Sequence, residues 1–490
     1  MRLESTSIIG VLHFVGIGGI GMSGIAEVLH SMGYVVQGSD IALSPNVERL
    51  QKKDITVHIG HAAENIYADT QRPAAVVISS AVPCDNPELV EARAQKIPVV
   101  RRADMLAELM RFKSAIAIGG THGKTTTTSL VGTLLEKCGV DPTVINGGIV
   151  NSYGTNTRMG QGDWMVVEAD ESDGSFTRLP AQVAVVTNID PEHMEHYGAF
   201  DNMRQAFVQF VENIPFYGFA VLCLDHPEVQ SLIAKTTDRR ILTYGFNPQA
   251  DIRAESIRSV TEGSYCRVTF AGWMRGEEED FVLDNVFLPM PGRHNLQNAL
   301  VALAIGYELQ LEPDAMRQAL AGFTGVKRRF TKTGEVQGIS IIDDYAHHPV
   351  EITAVLTAAR QVVEGSKGKV IAVVQPHRYS RLHDLMVDFC KCFHDADMVV
   401  VANVHSAGED PIDGVDKETF AKGIAAHGHR NVAVLESEDE LASLIATHAQ
   451  SGDLVICMGA GSITKWANAL PAQLQAVFEQ QEQLTDKSVA

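Results

Sequence analysis

Residues 119–126 read Gly-Gly-Thr-His-Gly-Lys-Thr-Thr, a run whose composition and spacing can cradle phosphates. Gly119, Gly120 and Gly123 let the backbone turn tightly and expose its N–H groups, with Thr121 and His122 completing the loop. Lys124 would reach the terminal phosphates of a nucleoside triphosphate, and the hydroxyl of Thr125 or Thr126 would hold Mg²⁺. Gly119 and Gly123 have three residues between them, not the four of the standard phosphate loop, and a plain Gly-rich turn before a helix is the other reading. Two elements must position this chemistry. The apolar run Ala115–Ile118 reads as a buried strand, and Thr125–Leu135 as a helix whose N-terminus faces the same spot.

A second apolar run, Trp164–Val167, leads into Glu168-Ala169-Asp170-Glu171-Ser172-Asp173. Triphosphate enzymes place a Mg²⁺-binding carboxylate beside the phosphate loop in this way, and Glu168 is nearest the strand end. A solvated acidic turn is the alternative. A third strand ends Thr187-Asn188-Ile189-Asp190 and runs on to His193, which is either a metal ligand or a structural histidine. Farther on, Pro291-Gly292-Arg293-His294-Asn295-Leu296-Gln297-Asn298 precedes an Ala-rich helix, Asn295–Leu309. Asn295 suits an adenine edge, being both donor and acceptor, and equally suits a helix N-cap.

Near the N-terminus, Gly16-Ile17-Gly18-Gly19-Ile20-Gly21 matches GxGxxG between the strand Val11–Val15 and a helix Met22–Met32. Ser39-Asp40 follows the next strand, Val35–Gln37, with Asp40 at the distance of a ribose-contacting acid. The pattern requires only a diphosphate resting on a helix N-terminus, so dinucleotides and UDP-sugars both satisfy it, as does tight packing alone. Ser79 and Ser80, at another strand end, offer hydroxyls to the same crevice or act as caps.

Apolar strands alternate with helical patterns along almost all of the 490 residues, which predicts α/β architecture with parallel sheets. At roughly 150 residues per domain, the length predicts three domains. The first boundary falls near Lys113 and the second near Val326, giving 1–113, 114–326 and 327–490. Residues 251–290 read as a turn-laden antiparallel appendage, and the Gln-rich tail from Pro471 as a fraying helix. Gly459-Ala460-Gly461-Ser462 also follows a strand and opens a helix, as a second nucleotide turn would.

The net charge of −20 excludes a nucleic-acid coat, which needs clustered Lys and Arg. No apolar stretch approaches the ~20 residues of a membrane span, and the N-terminal apolar run carries no cleavage pattern. The seven cysteines are scattered without CxxC pairs, which predicts reduced thiols and a cytoplasmic location, with Cys390 and Cys392 on one buried helix.

Together, GTHGKTTT, EADESD, NIDPEHM, GRHNLQNAL, RRF, DDYAHHP and QPHRYSR resemble the Mur ligases, which build the peptide of the bacterial cell-wall precursor. The resemblance spans essentially the whole chain. HFVGIGGIGMSGIAEVL and DDYAHHP are most similar to the branch that adds L-alanine to UDP-N-acetylmuramate; the branch that recycles whole murein tripeptide ranks second. A dehydrogenase reading of the N-terminal fingerprint leaves GTHGKT and EADESD without a task.

The resemblance implies an N-terminal Rossmann-like UDP-binding domain, a central P-loop ATPase-like domain with a parallel sheet, and a C-terminal Rossmann-like α/β domain. It implies an ATP-dependent amide ligase working through an acyl phosphate, with ATP, UDP-N-acetylmuramate and L-alanine as partners and Mg²⁺ as cofactor, in a monomer or homodimer. Lys124 and Thr125 then hold the ATP phosphates and a first Mg²⁺, and Glu168 and His193 a second. His294, Asn295 and Asn298 fall to ATP, Arg329 to its γ-phosphate and Asp344 to its ribose. Gly16, Gly18, Gly19, Gly21, Ser39, Asp40, Ser79 and Ser80 fall to the UDP-sugar. Tyr345, His347, Arg378 and Arg381 fall to L-alanine, whose carboxylate suits an arginine fork. Read alone, Asp343 to His348 could be only a strand-end cap before the helix-starting Pro349.

Overall fold

The computed structural model describes residues 10–67, 71–365 and 368–489. The first part of the N-terminal stretch, residues 1–9, and the last residue of the tail, Ala490, lie outside the described residues.

Three sheets carry the described residues. The first has five parallel strands in the order Thr56–Ile59, Val36–Asp40, Leu12–Val15, Ala75–Ile78, Val99–Arg101. The second has ten strands, and its centre is the glycine-loop strand Ser114–Gly119, flanked in parallel by Trp164–Glu168 and Val183–Val186. Phe219–Cys223 and Ile241–Gly245 extend it in parallel on one side; on the other, Thr143–Val150 is parallel and the edge strand Thr155–Arg158 antiparallel. Ile116, Val166 and Val185 are fully buried, as expected where helices cover both faces of a parallel sheet. The last three neighbours, Ile252–Val260, Gly263–Phe270 and Phe281–Leu288, follow one another in sequence. The tight turn at 261–262 forces the first two into the antiparallel ribbon expected for this stretch.

The third sheet runs Thr331–Val336, Ile339–Asp344, Leu454–Met458, Val370–Val374, Met398–Val401, Val432–Val434. Only its first pair is antiparallel, and separate apolar clusters built on Ile342, Leu356 and Phe420 and on Ile341, Val455 and Leu470 fill its two faces.

The described chain forms two compact units. One takes in the chain to Glu255 with Arg267–Asp284 and Gln297–Thr324; the other takes in Ser256–Cys266, Asn285–Leu296 and the chain from Gly325. The five-stranded sheet and most of the ten-stranded one therefore share a unit, joined by polar contacts. Asn156 Nδ2 donates to Ile20 O at 2.7 Å, and Arg49 donates to Asn156 Oδ1 at 3.1 Å.

The helices begin earlier than the sequence patterns placed them: Ile20–Ser31, Lys124–Lys137 and Arg293–Glu308. In the first two, the helix starts at the residue directly after a glycine that stands at its N-cap, Gly19 and Gly123. Asn295 consequently lies inside the first turn and is not an N-cap; its amide donates to Pro291 O at 2.8 Å. The C-terminal helix, Ile463–Val489, starts well before Pro471, and Cys392 sits just beyond the helix Met386–Lys391 that carries Cys390. The cysteines are all free thiols. No helix among the described residues is long and apolar enough to cross a membrane.

Candidate active site

The glycine loop is held by the end of the neighbouring strand. Asn188 Oδ1 accepts from His122 N at 2.7 Å, Thr187 Oγ1 donates to His122 O at 2.6 Å, and Thr121 Oγ1 accepts from Asp190 N at 2.8 Å. Gly120 has φ +125°, and a Cβ there would lie 2.1 Å from Thr187 Oγ1, so only glycine fits. Gly123, φ +82°, precedes the helix Lys124–Lys137, whose N-terminus carries no side-chain cap and keeps N–H groups for an anion. Asn298 abuts Gly123, its amide 2.8 Å from where a Cβ would stand.

Lys124 Nζ donates to Gly120 O at 2.7 Å, Thr121 O at 2.9 Å and Glu171 Oε1 at 2.9 Å. Burial disfavours both charges. Glu171, with Glu168 and Asp170 behind it, nevertheless holds the ammonium above the ordinary lysine value, whereas burial pushes the Glu171 carboxyl up. Glu168 takes different partners: Oε1 accepts from Thr125 Oγ1 at 3.2 Å and Oε2 from Gly147 N at 2.8 Å. Thr126 is buried in the same first helical turn.

His193, at φ +57°, lies with Nε2 3.8 Å from Glu171 and 3.7 Å from Glu192. Glu171, Glu192 and His193 place ligand atoms within 4.8 Å of one another. The histidine expected beside Glu168 therefore groups with Glu171 and Glu192. Neither acid was singled out from the sequence, although Glu171 stands in the same acidic run. Asp190 was also passed over: its carboxylate is shared by His122 Nε2 at 3.3 Å and His226 Nε2 at 3.4 Å. Burial alone would raise its pKa, but the two imidazoles hold it well below the usual carboxylate range.

At the N-terminal glycines, a cavity of about 260 Å³ is lined by Gly19, Gly21, Ser79, Arg102, Gly147 and Glu168, among others. Gly16 has φ +73°, and Gly18 N donates to Asp40 Oδ2 at 2.8 Å, so Asp40 closes the glycine turn in addition to any sugar contact. Ser39 departs from expectation. It is fully buried, and its hydroxyl donates to Glu88 Oε2 at 2.6 Å, which turns it away from the crevice. Ser80 is exposed.

The second unit gathers the remaining residues. Arg328 and Arg329 lie over the Tyr345 ring at 4.5 Å and 5.3 Å from its centroid, and Arg329 Nη1 is 4.0 Å from Glu351. His347 Nδ1 is 3.0 Å from Tyr345 O, and its N–H donates to Glu351 at 3.1 Å. Arg378 adopts φ +70° at the start of the helix Tyr379–Asp384, a strained conformation of the kind found at functional positions. Arg381 donates to His377 O at 3.4 Å, and the His377 and His405 rings stack at 5.3 Å. Burial, with the nearby His347 and Arg381 charges, lowers His377 to about 4, and this ring directly precedes Arg378 in sequence. It lay within QPHRYSR but went unselected.

Asp344, expected on the ATP ribose, is buried, and its two oxygens accept from Phe330 N at 2.7 Å and Ala346 N at 2.8 Å. Both acceptors are thus engaged within the chain, and burial raises its pKa to about 6. Within Asp343 to His348, His348 makes the helix cap, accepting from Val350 N at 3.4 Å ahead of Pro349–Glu364. Burial drops His294 to about 4, with the Arg329 charge adding to it.

Three family descriptions match consecutive parts of the chain: Mur ligase family, catalytic domain, over residues 11–114; Mur ligase middle domain over 118–306; and Mur ligase, glutamate ligase domain, over 328–461. A UDP-N-acetylmuramate–L-alanine ligase of a Bradyrhizobium species is 60% identical over 470 residues, covering 96% of this chain and 98% of that protein. The ligase of the same name from Rhodospirillum centenum is 59% identical over 469 residues, covering 96% and 95%. The crystal structure of the UDP-N-acetylmuramate-alanine ligase of Thermotoga maritima matches with a TM-score of 0.78 at 30% identity, covering 96% of this chain and all of that one. A murein peptide ligase from Psychrobacter arcticus matches with a TM-score of 0.67 at 23% identity, covering 95% and 99%, a likeness of fold. With its three parts matched in order and relatives this similar along nearly its whole length, the chain belongs to the Mur ligase family.

Proposed function

We infer that this chain is an ATP-dependent ligase that joins L-alanine to the carboxylate of UDP-N-acetylmuramate, releasing ADP and phosphate, in peptidoglycan precursor synthesis. The observation that carries the reading is the 60% identity, over 470 residues, to a ligase of that name. Addition of whole tripeptide has only a likeness of fold at 23% identity behind it.

The residues suit the chemistry. A carboxylate is a poor electrophile with a poor leaving group, and phosphorylation remedies both. The muramoyl carboxylate attacks the γ-phosphorus and ADP leaves; the neutral amine of L-alanine then attacks the acyl carbon, and phosphate departs. The first step brings two anions together, so positioned cations must offset their repulsion. Lys124 meets that need by exchanging Glu171 and two loop carbonyls for the triphosphate. Arg329 supplies a second cation at the γ-phosphate. Asn188, Thr187 and Asp190 keep the loop N–H groups aimed, which supplies orientation.

The donor set fits magnesium, a hard cation that prefers oxygen. Thr125 and Glu168 would hold one ion, in a space that a Cβ on Gly147 would fill at 2.5 Å from the Glu168 carboxylate. Glu171, Glu192 and His193 offer a second group of ligands. Magnesium, when bound, neutralises part of the charge between the two anions.

We assign residues 1–113 to the UDP-sugar, with Gly16, Gly18, Gly19, Gly21, Asp40 and Ser79 at its diphosphate and ribose. Residues 114–326 take ATP, and 327–490 take L-alanine through Tyr345, His347, Arg378 and Arg381. Both nucleotide substrates belong to the cytoplasm, and so does the enzyme on this reading.

The test is phosphate release with ATP, Mg²⁺ and UDP-N-acetylmuramate, adding single amino acids and the murein tripeptide in turn. Release that depends on L-alanine, with the matching mass gain on the sugar nucleotide, is expected. Release with tripeptide alone would transfer the assignment to recycling.

A further inference from the structure

The cavity beside the N-terminal glycines poses a charge problem. A UDP-sugar brings two negative charges to its diphosphate, and the start of the helix Ile20–Ser31 offers about half a positive charge. The ionisable side chains lining the cavity are Arg102, Glu168 and Asp170, so Arg102 is the one fixed cation among its described lining residues. Arg102 opens the helix Arg102–Met110, directly after the strand Val99–Arg101. Its guanidinium lies against the start of the helix Ile20–Ser31, with Nη1 3.2 Å from where a Cβ on Gly21 would stand. The remaining polar contact of the fork is Nη2 to Asp170 Oδ2 at 3.0 Å, between side chains that are 21% and 43% exposed.

We propose that Arg102 binds the diphosphate of the UDP-sugar and that Asp170 is the partner it holds until the diphosphate arrives. The proposal rests on the functional reading above and adds to it a residue and a coupling. Guanidinium prefers the bidentate oxygens of a phosphate to a half-exposed carboxylate, because two parallel charge-assisted hydrogen bonds replace one. Gly21 is what allows this approach, since a side chain there would push the fork away from the N–H groups that face the same anion. Asp170 stands between Glu168 and Glu171, the acids on Thr125 and Lys124. Its release therefore loosens the acidic run at the moment when the muramoyl carboxylate enters.

The experiment is calorimetric titration of the full chain with UDP-N-acetylmuramate, with UDP and with ATP, alongside steady-state kinetics. Arg102→Met should weaken UDP-N-acetylmuramate and UDP alike, by about 10- to 100-fold, while ATP affinity stays within about twofold. KM for the sugar nucleotide should rise by the same factor, with kcat much less changed. Arg102→Lys should fall between the two, because it keeps the charge and loses the fork. Asp170→Asn, which frees the guanidinium, should bind UDP as tightly as the parent or several-fold more tightly. Undiminished UDP affinity in Arg102→Met overturns the proposal, as does a parallel loss of ATP affinity, the mark of a disturbed fold. Should Arg102→Met fail to fold, a loss of UDP affinity in Asp170→Asn or an unchanged one in Arg102→Lys overturns it instead. A parent chain that binds no UDP-N-acetylmuramate removes the functional reading and this assignment with it; a difference missing only between parent and variants removes the assignment alone.

Discussion

Lys124 and Glu171 form an ion pair beside the glycine loop, with Nζ 2.9 Å from Oε1 and 2.8 Å from Oε2, and Glu171 only 1% exposed. The lysine proposed to meet the triphosphate is thus held by a carboxylate 47 residues away in sequence.

Breaking that pair from one side leaves a buried charge alone. Lys124→Ala should lower unfolding stability by about 3 kcal/mol in urea titrations. Adding Glu171→Gln should restore most of it, because both charges are then gone. Turnover should be undetectable in both variants, with UDP-N-acetylmuramate affinity within a few-fold of the parent. Loss of that affinity in Lys124→Ala would mean that the two nucleotide sites have been separated wrongly.

Gly147 is predicted to govern the Thr125–Glu168 pair. A Cβ at 147 would meet Glu168 Oε1 at 2.5 Å, while the backbone there lies outside the left-handed region and accepts alanine. Gly147→Ala should therefore displace the carboxylate with little effect on stability. The expected result is a fall in kcat of about 10²-fold, the scale of losing one electrostatic contact in a transition state. The Mg²⁺ concentration for half-maximal rate should rise at the same time. Unchanged Mg²⁺ dependence would count against Glu168 as a ligand.

Glu88 should make the first sheet sensitive to acid. It is fully buried; burial opposes its charge, yet hydrogen bonds from His13, Ser39 and Asn65 lower its pKa from 4.5 to about 2. Because the folded-state value is depressed, the stabilisation is complete above pH 4.5 and is lost as pH falls toward 2. The shift corresponds to about 3 kcal/mol. Glu88→Gln should thus be clearly less stable than the parent at neutral pH, and the gap in unfolding free energy should narrow below pH 4.5. A gap independent of pH would show that the network is held by shape alone.

The amino-acid fork should separate arginine from lysine. Arg378→Lys keeps the charge but loses the planar pair of donors, and it should raise KM for L-alanine about 10-fold while leaving KM for ATP unchanged. An equal rise for both substrates would place Arg378 at the nucleotide.

Local chemistry made part of this protein readable in advance. Gly120 and Gly123 announce a phosphate loop because their positive φ is open to few other residues, and Val183–Val186 announces a parallel strand because both of its faces are covered. Asn156, Ser39 and Asp344 were not legible in that way. Asn156 bonds to Ile20 O across 136 residues, Ser39 to Glu88 across 49, and the Asp344 oxygens accept from the backbone N–H groups of Phe330 and Ala346. The residue types and spacing pointed to phosphate chemistry and determined the α/β layering, since both rest on interactions within one turn or one strand. Which acid meets Lys124, and which histidines share Asp190, was decided by tertiary structure. Parallel strands bring their carboxyl ends to one edge in spatial order, and Ser114–Gly119 lies between Trp164–Glu168 and Val183–Val186, an order that does not follow the sequence.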